Sequence, residues 1–486
     1  MKKLFEILQE VDIRQIFNKR DLDVTDICFD SRKAKEGSVF VAVKGTVADG
    51  HQFIPQVIDA GCKCVVCEDQ PQKYPDDVTI VVVENSSLVL GKMASAFYDY
   101  PSRQLKLLGV TGTNGKTTIA TLLYKMVSIM GYKAGLFSTV ANYIGNEKVE
   151  ATHTTPDSVA INKLMAEMVE AGCDYCFMEV SSHALDQNRV EGLQFDGALF
   201  TNITHDHLDY HKTFKAYIEA KKSFFDNLDK EAFSLVNADD KNGMVMMQNT
   251  RAAKNTYSLK GMGTFKAKII ESMFEGMQLD IDGHEIWTQF VGNFNAQNLL
   301  AVYGAAVLLG FDKMEVLVAL SQLKSVDGRF ETIRSKTGKT AIVDYAHTPD
   351  ALKNVIETIN LVRQGNQQLI TVVGAGGDRD PMKRPEMAKE AVQGSSRVIL
   401  TSDNPRSEDP AQIVEEMMKG VTFKERIKVL SIVDRKEAIR TACVVAQPGD
   451  IILVAGKGHE TYQEVKGVKN HFDDREVINE IFNAEE

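Results

Sequence analysis

Residues 106–131 read KLLGVTGTNGKTTIATLLYKMVSIMG, and this stretch decides the fold class. An apolar run enters a glycine-rich turn, Gly112-Thr113-Asn114-Gly115-Lys116-Thr117-Thr118. Beyond the turn, Ile119, Leu122, Leu123, Met126, Val127 and Met130 recur at helical spacing. Gly131 suits the position just past a helix end. A strand, a glycine turn and a helix in this order make a phosphate-binding loop. The glycines let the backbone curl so that successive N–H groups point at phosphate oxygens, and the helix N-terminus adds partial positive charge. Lys116 brings a full charge to the β- and γ-phosphates, and Thr117 offers a hydroxyl to Mg²⁺. The strict pattern wants Gly at position 110, where this chain has Val110, so the loop is a variant. Its bland alternative is an ordinary strand-to-helix turn.

Working outward, the next apolar run, 175–180, is a strand that delivers Glu179 near its carboxyl end, ahead of Ser181-Ser182-His183. A carboxylate there can reach a metal beside the phosphate loop. On position alone it reads equally as a solvated loop residue. A His/Asp-rich run follows, Asn202-Ile203-Thr204-His205-Asp206-His207-Leu208-Asp209-Tyr210-His211. By itself it suggests a metallohydrolase. Beside a phosphate loop it reads better as the source of one ligand, His207, to a second Mg²⁺. After about residue 330, apolar strands alternate with helical stretches: TAIVDYAH, LITVVGAGGDR, RVILTSDNPR and DIILVAGKGHE. Such alternation predicts a mostly parallel sheet covered by helices, with ligands beyond the carboxyl ends of its strands. Before residue 100 the pattern is short strands, SVFVAV and KCVVCE, between turns. The expected organisation is therefore α/β in three domains, 1–100, 101–326 and 327–486. A length of 486 residues agrees, at about 150 residues per domain.

Composition excludes several classes. Lys plus Arg is 56 and Asp plus Glu is 67, a formal charge of −11, which argues against general nucleic-acid binding. No uncharged apolar run approaches the roughly 18–20 residues of a membrane helix. The start, MKKLFEILQEVDIRQIF, reads as an amphipathic helix rather than a signal peptide, so a cytoplasmic protein without stable membrane insertion is expected. Seven Cys argue against a disulfide framework. Cys62, Cys64 and Cys67, and the pair Cys173 and Cys176, lie in strand-like runs and read as buried structural thiols rather than zinc ligands.

GVTGTNGKTT, MEVSSHAL, NITHDHLDYH, GNFNAQN, DGRFE, DYAHTPD and DNPR occur in this order over nearly the whole chain. Together they resemble the Mur ligases, ATP-dependent amino-acid-adding enzymes of peptidoglycan precursor synthesis. The resemblance implies an N-terminal domain for the uridine nucleotide, a central P-loop ATPase domain and a C-terminal Rossmann-like domain. It is nearest to the branch that extends UDP-N-acetylmuramoyl-L-alanyl-D-glutamate (UDP-MurNAc-L-Ala-D-Glu).

Carried over position by position, the resemblance implies a uridine-diphosphate site at Ser31, in Asp30-Ser31-Arg32, and along 44–51. It implies that Thr154, Thr155, Ser181, Gln187 and Arg189 hold the muramoyl-dipeptide. Hydroxyls, an amide and a guanidinium suit a ligand of hydroxyls, carbonyls and carboxylates. Lys221 matches a position carbamylated in the family, with the neighbouring Lys222 one register away. A carbamate is an oxygen anion for a hard cation, whereas an ammonium repels one. Asn295 and Asn298 resemble adenine contacts. Arg329, Asp344, Tyr345 and His347 resemble ATP contacts made from the C-terminal side, which links ATP binding to domain closure. ATP and Mg²⁺ are the implied cofactors. Lys116, Glu179, His207 and Lys221 are the implied catalytic set, the last three with Thr117 being the metal ligands. A monomer is expected.

The C-terminal strands end in Arg379, in Asp403-Asn404-Pro405-Arg406 and in Gly456 to Glu460. If the strands are neighbours, these ends meet in one pocket. Arg406 can hold a carboxylate through two parallel hydrogen bonds, and an acidic group can hold an ammonium. meso-Diaminopimelate carries a distal carboxylate that L-lysine lacks, so the resemblance implies diaminopimelate as the added amino acid, held by Arg379, Asp403, Asn404, Pro405, Arg406, Gly456 and Glu460. A lysine-adding ligase is the near alternative. A folylpolyglutamate synthetase-like ligase and a P-loop NTPase binding module are more distant ones.

Overall fold

The computed structural model describes residues 1–45, 48–151 and 153–484. Among the described residues three large sheets follow one another along the chain, beside two two-stranded ones. The first has five strands, ordered Ile13–Phe17, Thr79–Val83, Cys64–Cys67, Ser38–Val41 and Asp26–Cys28. All its pairs are parallel except the first. The opening segment departs from the expected amphipathic helix. Only Leu4–Ile7 is helical, and Ile13–Phe17 is an edge strand antiparallel to Thr79–Val83. Leu4, Ile7, Leu8 and Val11 do form one buried face. Beyond Val11 the ladder with 79–83 satisfies the backbone and overrides the helical spacing of Ile13 and Ile16.

The second sheet has eleven strands. Its middle is parallel, in the order Ala134–Phe137, Tyr175–Glu179, Lys106–Thr111, Gly197–Phe200, Phe233–Asn237 and Ala253–Ser258. Lys106–Thr111 lies centrally, and the helix Lys116–Ile129 springs from its carboxyl end. That helix ends as the sequence predicts. Gly131 is left-handed at φ 88°, and the N–H groups of Gly131 and Tyr132 bond back to Ser128 and Val127. Its apolar face packs with the helix Asn293–Leu308 in one core. Antiparallel strands finish both edges of this sheet.

The third sheet runs Glu331–Arg334, Thr340–Asp344, Ile451–Ala455, Leu369–Ala375, Arg397–Ser402 and Val429–Ser431. It is parallel after its first strand. Strands 451–455, 369–375 and 397–402 therefore lie side by side in that order, so their carboxyl ends adjoin. The seven Cys are buried and unbridged, and burial raises the pKa of Cys62, Cys64, Cys67, Cys173 and Cys176. Among the described residues, no helix is long and apolar enough to cross a membrane.

Candidate active site

The carboxyl ends of the second and third sheets face each other across a cleft of about 1710 Å³. That exceeds the roughly 300–1,000 Å³ of a typical single-ligand pocket. The phosphate loop forms one wall. Its tight approach falls at Gly112 rather than at residue 110. Val110 is still in the strand and fully buried, whereas Gly112 has φ 146°, and a Cβ there would lie 1.9 Å from Thr201 Oγ1. No side chain fits at 112, which explains why the variant loop tolerates Val110.

Lys116 Nζ donates to the carbonyls of Gly112 and Thr113, both at 2.9 Å, so the ammonium already curls over its own loop. Desolvation lowers its pKa, opposed by Glu179 and Asp206. Thr117 Oγ1 donates to Glu179 Oε2 at 2.9 Å. Glu179 is not the solvated residue that position alone allowed. It is fully buried, and its other oxygen accepts from the Thr139 N–H at 2.7 Å.

Lys221 lies on the helix Phe214–Asp226, 1% exposed, behind the loop. Its Nζ donates to Gly112 O at 2.9 Å and to Thr111 Oγ1 at 3.3 Å. Desolvation, reinforced by Lys116, holds its pKa well below the ordinary lysine value. Lys222 instead pairs with Asp226 at 2.6 Å, one turn along the same helix. His207 sits in the left-handed region at φ 54°, its ring 4.9 Å from that of His183. Among the described residues, no cluster of three or more His, Cys, Asp or Glu is arranged to hold a metal ion. The donors beside the loop are the Thr117 hydroxyl and the Glu179 carboxylate. These hard oxygens fit Mg²⁺, which keeps several waters and shares phosphate oxygens.

The dipeptide-site candidates form one network. Arg189 donates to Gln187 Oε1 at 2.7 Å and to Thr155 O at 2.9 Å. Thr155 Oγ1 donates to Glu179 O at 2.8 Å and receives the Ser181 N–H at 3.1 Å. Thr154 Oγ1 accepts from Thr139 Oγ1 at 3.1 Å. Ser31 is elsewhere, in the half-exposed turn Ser31–Lys33 after the strand Asp26–Cys28, and does not line the cleft. Of the stretch 44–51, Thr46 and Val47 lie outside the described residues.

The opposite wall belongs to the third sheet. Arg329 Nη2 donates to Thr117 Oγ1 at 3.2 Å while its guanidinium lies 4.5 Å from the Tyr345 ring. Asp344 is buried and accepts the N–H groups of Phe330 and Ala346. Desolvation raises its pKa, opposed by Arg329. His347 is exposed and lines the cleft. Asn295 and Asn298 are buried at the head of the helix Asn293–Leu308 and line it as well. Further along, Arg379, Asp403, Asn404, Arg406, Gly456 and Glu460 gather in one part of the wall, with Pro405 fixing the turn between. Gly456 has φ 115°, and a Cβ there would meet Asp403 Oδ2 at 2.5 Å, so strands 397–402 and 451–455 can close around that carboxylate. Arg406 Nη1 donates to Gly377 O at 2.6 Å, and its Nε stands 3.9 Å from Glu464.

Sequence reasoning missed several residues that shape this cleft. Thr139 braces Glu179. Asp350 accepts from Asn114 Nδ2 at 3.0 Å, and Lys383 pairs with Asp206. None carries a local pattern, because each acts on a partner far away in the chain.

Comparison with known proteins agrees with this layout. Three family models match in order: the Mur ligase family catalytic domain over 23–98, the Mur ligase middle domain over 110–306, and the Mur ligase glutamate ligase domain over 328–458. A protein of Cytophaga hutchinsonii is 58% identical over 480 residues, 99% of both chains. The chain belongs to the Mur ligase family. That relative is named UDP-N-acetylmuramoyl-L-alanyl-D-glutamate--2,6-diaminopimelate ligase, as is one of Bacteroides fragilis, 55% identical to this Mur ligase over 99% of both chains. A solved structure of a ligase with the same name aligns at TM-score 0.71 and 31% identity, covering 100% of this Mur ligase and 99% of that chain. A Mycobacterium tuberculosis folylpolyglutamate synthase, solved with ADP and AMPPCP, aligns at TM-score 0.62 and 15% identity over 76% of this chain and 93% of its own. That likeness is one of fold alone.

Proposed function

We propose that this Mur ligase joins meso-diaminopimelate to the D-glutamyl γ-carboxylate of UDP-MurNAc-L-Ala-D-Glu, with ATP converted to ADP and phosphate. The observation that carries this reading is the full-length identity to ligases of that name, 58% and 55%. The cleft supports it chemically. It sets a phosphate loop opposite a pocket containing two arginines and two acidic side chains, the complement of a zwitterionic amino acid.

Each residue then has a task. Lys116 screens the approach of two anions, the γ-carboxylate and the nucleotide's terminal phosphate. Thr117 would hold the Mg²⁺ beside the phosphate loop, and Glu179, His207 and a carbamylated Lys221 would hold a second. The metal, when bound, neutralises phosphate charge. The low pKa of the Lys221 amine supports carbamylation, because the neutral amine is the form that adds to CO2. Asn295 and Asn298 face the base, and Arg329, Asp344 and His347 meet the nucleotide from the other wall. Thr154, Thr155, Ser181, Gln187 and Arg189 orient the dipeptide, while Ser31 and 44–51 bind the uridine diphosphate. The carboxylate oxygen bonds to the terminal phosphorus as ADP leaves. The amine of diaminopimelate then attacks the acyl phosphate, losing a proton as the amide forms and phosphate departs.

The test is ATP-dependent phosphate release with UDP-MurNAc-L-Ala-D-Glu, comparing meso-diaminopimelate with L-lysine. Release with diaminopimelate alone is expected. Release with lysine keeps the ligase and overturns the pocket assignment. Release that needs no UDP-linked dipeptide favours an NTPase module.

A further inference from the structure

Lys457 follows the strand Ile451–Ala455 and is fully buried, with 0% of its side chain exposed. A lysine is almost never buried to this extent unless it is paired. Its Nζ donates to Glu460 Oε2 at 3.1 Å, to Asn404 Oδ1 at 3.3 Å and to the carbonyl of Tyr462. One ammonium thus ties the turn after strand 451–455 to the turn after strand 397–402 and to the hairpin that begins at Tyr462.

The contacts fix the chemistry of two cleft-lining groups. Asn404 Oδ1 also accepts the Glu464 N–H at 2.9 Å, and Asn404 Nδ2 donates to Glu460 Oε2 at 2.7 Å. The groups facing Oδ1 are donors only, and the group facing Nδ2 is an acceptor only. The amide therefore has one orientation. With Glu460 Oε2 doubly engaged, the groups without a hydrogen bond among the described residues are the second amide N–H of Asn404 and Glu460 Oε1. A hydrogen-bond donor and an anionic acceptor, side by side, match the carboxylate and ammonium borne by a single carbon.

We propose that Lys457 is a positioning residue for the added amino acid, locking Asn404 and Glu460 into the donor–acceptor pair that reads the carboxylate and ammonium of the ligand's non-reacting end. The proposal rests on the diaminopimelate reading above. Without the Lys457 ammonium, Glu460 loses its cation and Asn404 Oδ1 is left with the Glu464 N–H, so the two side chains lose the tie that sets their spacing toward the ligand. The loss falls on amino-acid binding, while the phosphate loop and the dipeptide site lie on the other wall.

The experiment is steady-state kinetics of the full-length enzyme with all three substrates, for wild type and Lys457→Met, which keeps length without a donor. The KM for meso-diaminopimelate should rise about tenfold or more, the loss of about one charged hydrogen bond. kcat should stay within about threefold and the KM values for ATP and the UDP-dipeptide should not move, a loss confined to amino-acid binding. An unchanged diaminopimelate KM overturns the proposal, and so does a parallel rise in all three KM values, the mark of a merely structural lysine. If Lys457→Met does not fold, Lys457→Gln, which keeps a neutral donor but loses the charge, should still raise the diaminopimelate KM by about threefold or more with the other two KM values unmoved, and an unchanged KM there overturns the proposal as well. Wild-type enzyme that ignores meso-diaminopimelate defeats the functional reading instead, so the two failures are distinct.

Discussion

Asp206 and Lys383 stand 177 residues apart in sequence and form an ion pair at 2.5 Å between Oδ1 and Nζ, with 8% and 19% of their side chains exposed. Asp206 adjoins the phosphate loop's side of the cleft and Lys383 opens the helix Lys383–Gly394 on the other. The pair, the Asn114–Asp350 bond and the Arg329–Thr117 bond hold the two walls in register. The arrangement of the two walls and the geometry of the phosphate loop are thereby linked through named contacts.

If the pair holds the closed cleft, Lys383→Met and Asp206→Asn should each lower kcat/KM for ATP, and the double variant should lose less than the sum. The coupling expected for residues in contact is about 1–2 kcal/mol. A double-mutant cycle on kcat/KM measures it, and simple additivity would show that the pair does not set the cleft.

Lys116→Ala should reduce turnover by at least about a hundredfold, because a preorganised charge facing the transferring phosphoryl group is lost. Circular dichroism and the melting temperature should stay close to wild type, since the ammonium bonds only two carbonyls of its own loop. Retained turnover would remove the loop from the reaction.

The two adjacent lysines make a sharper test. Lys221→Ala should abolish activity, and a short carboxylic acid such as acetate should restore part of it by supplying the missing oxygen anion. Lys222→Ala should cost only the half-buried i,i+4 pair with Asp226, on the order of 1 kcal/mol of stability, and leave turnover intact. Rescue of Lys222→Ala rather than Lys221→Ala would shift the carbamate by one residue.

That contrast shows what a sequence can carry. The phosphate loop, its helix and the strand ends of the third sheet were legible because their signals are local: a glycine turn after an apolar run, a 3.6-residue period, polar residues after β-branched strands. Lys221 and Lys222 are indistinguishable locally. Only the packing of their helix against Thr111 and Gly112 separates the amine buried behind the loop from the one paired with Asp226. Asp206–Lys383 and the Lys457 network join distant segments and leave no periodic trace. The opening segment misled for a related reason. Leu4, Ile7, Leu8 and Val11 fit one helical face, but the partner strand that claims Ile13–Phe17 comes about 65 residues later.

The amino-acid pocket gives the next prediction. Arg406→Lys keeps the charge but loses the planar fork. Its preference for meso-diaminopimelate over L-lysine should fall well below the roughly 10⁴-fold that a polar site of this kind supports. Competition between the two amino acids, followed by mass analysis of the product, reads the ratio directly. An unchanged ratio would place the distal carboxylate elsewhere, Arg379 being the next candidate.

The pocket also depends on a brace beneath it. Arg435 and Asp474 are both fully buried and paired at 2.7 Å. The same guanidinium donates to Ala455 O at 3.1 Å and Ser402 O at 3.4 Å, the carbonyls just before Gly456 and Asp403. Removing one partner strands a buried charge, a loss of about 3–5 kcal/mol. Arg435→Met should therefore lower the urea midpoint of the region containing the third sheet, and Arg435→Met/Asp474→Leu should recover much of it, because an apolar pair of similar volume replaces a buried ion pair at little cost. If the carbonyl bonds matter to function, the recovered double variant will still bind diaminopimelate more weakly than wild type, since no donor remains to hold the two strand ends. Recovery of both stability and affinity would show that the strands keep their places without Arg435.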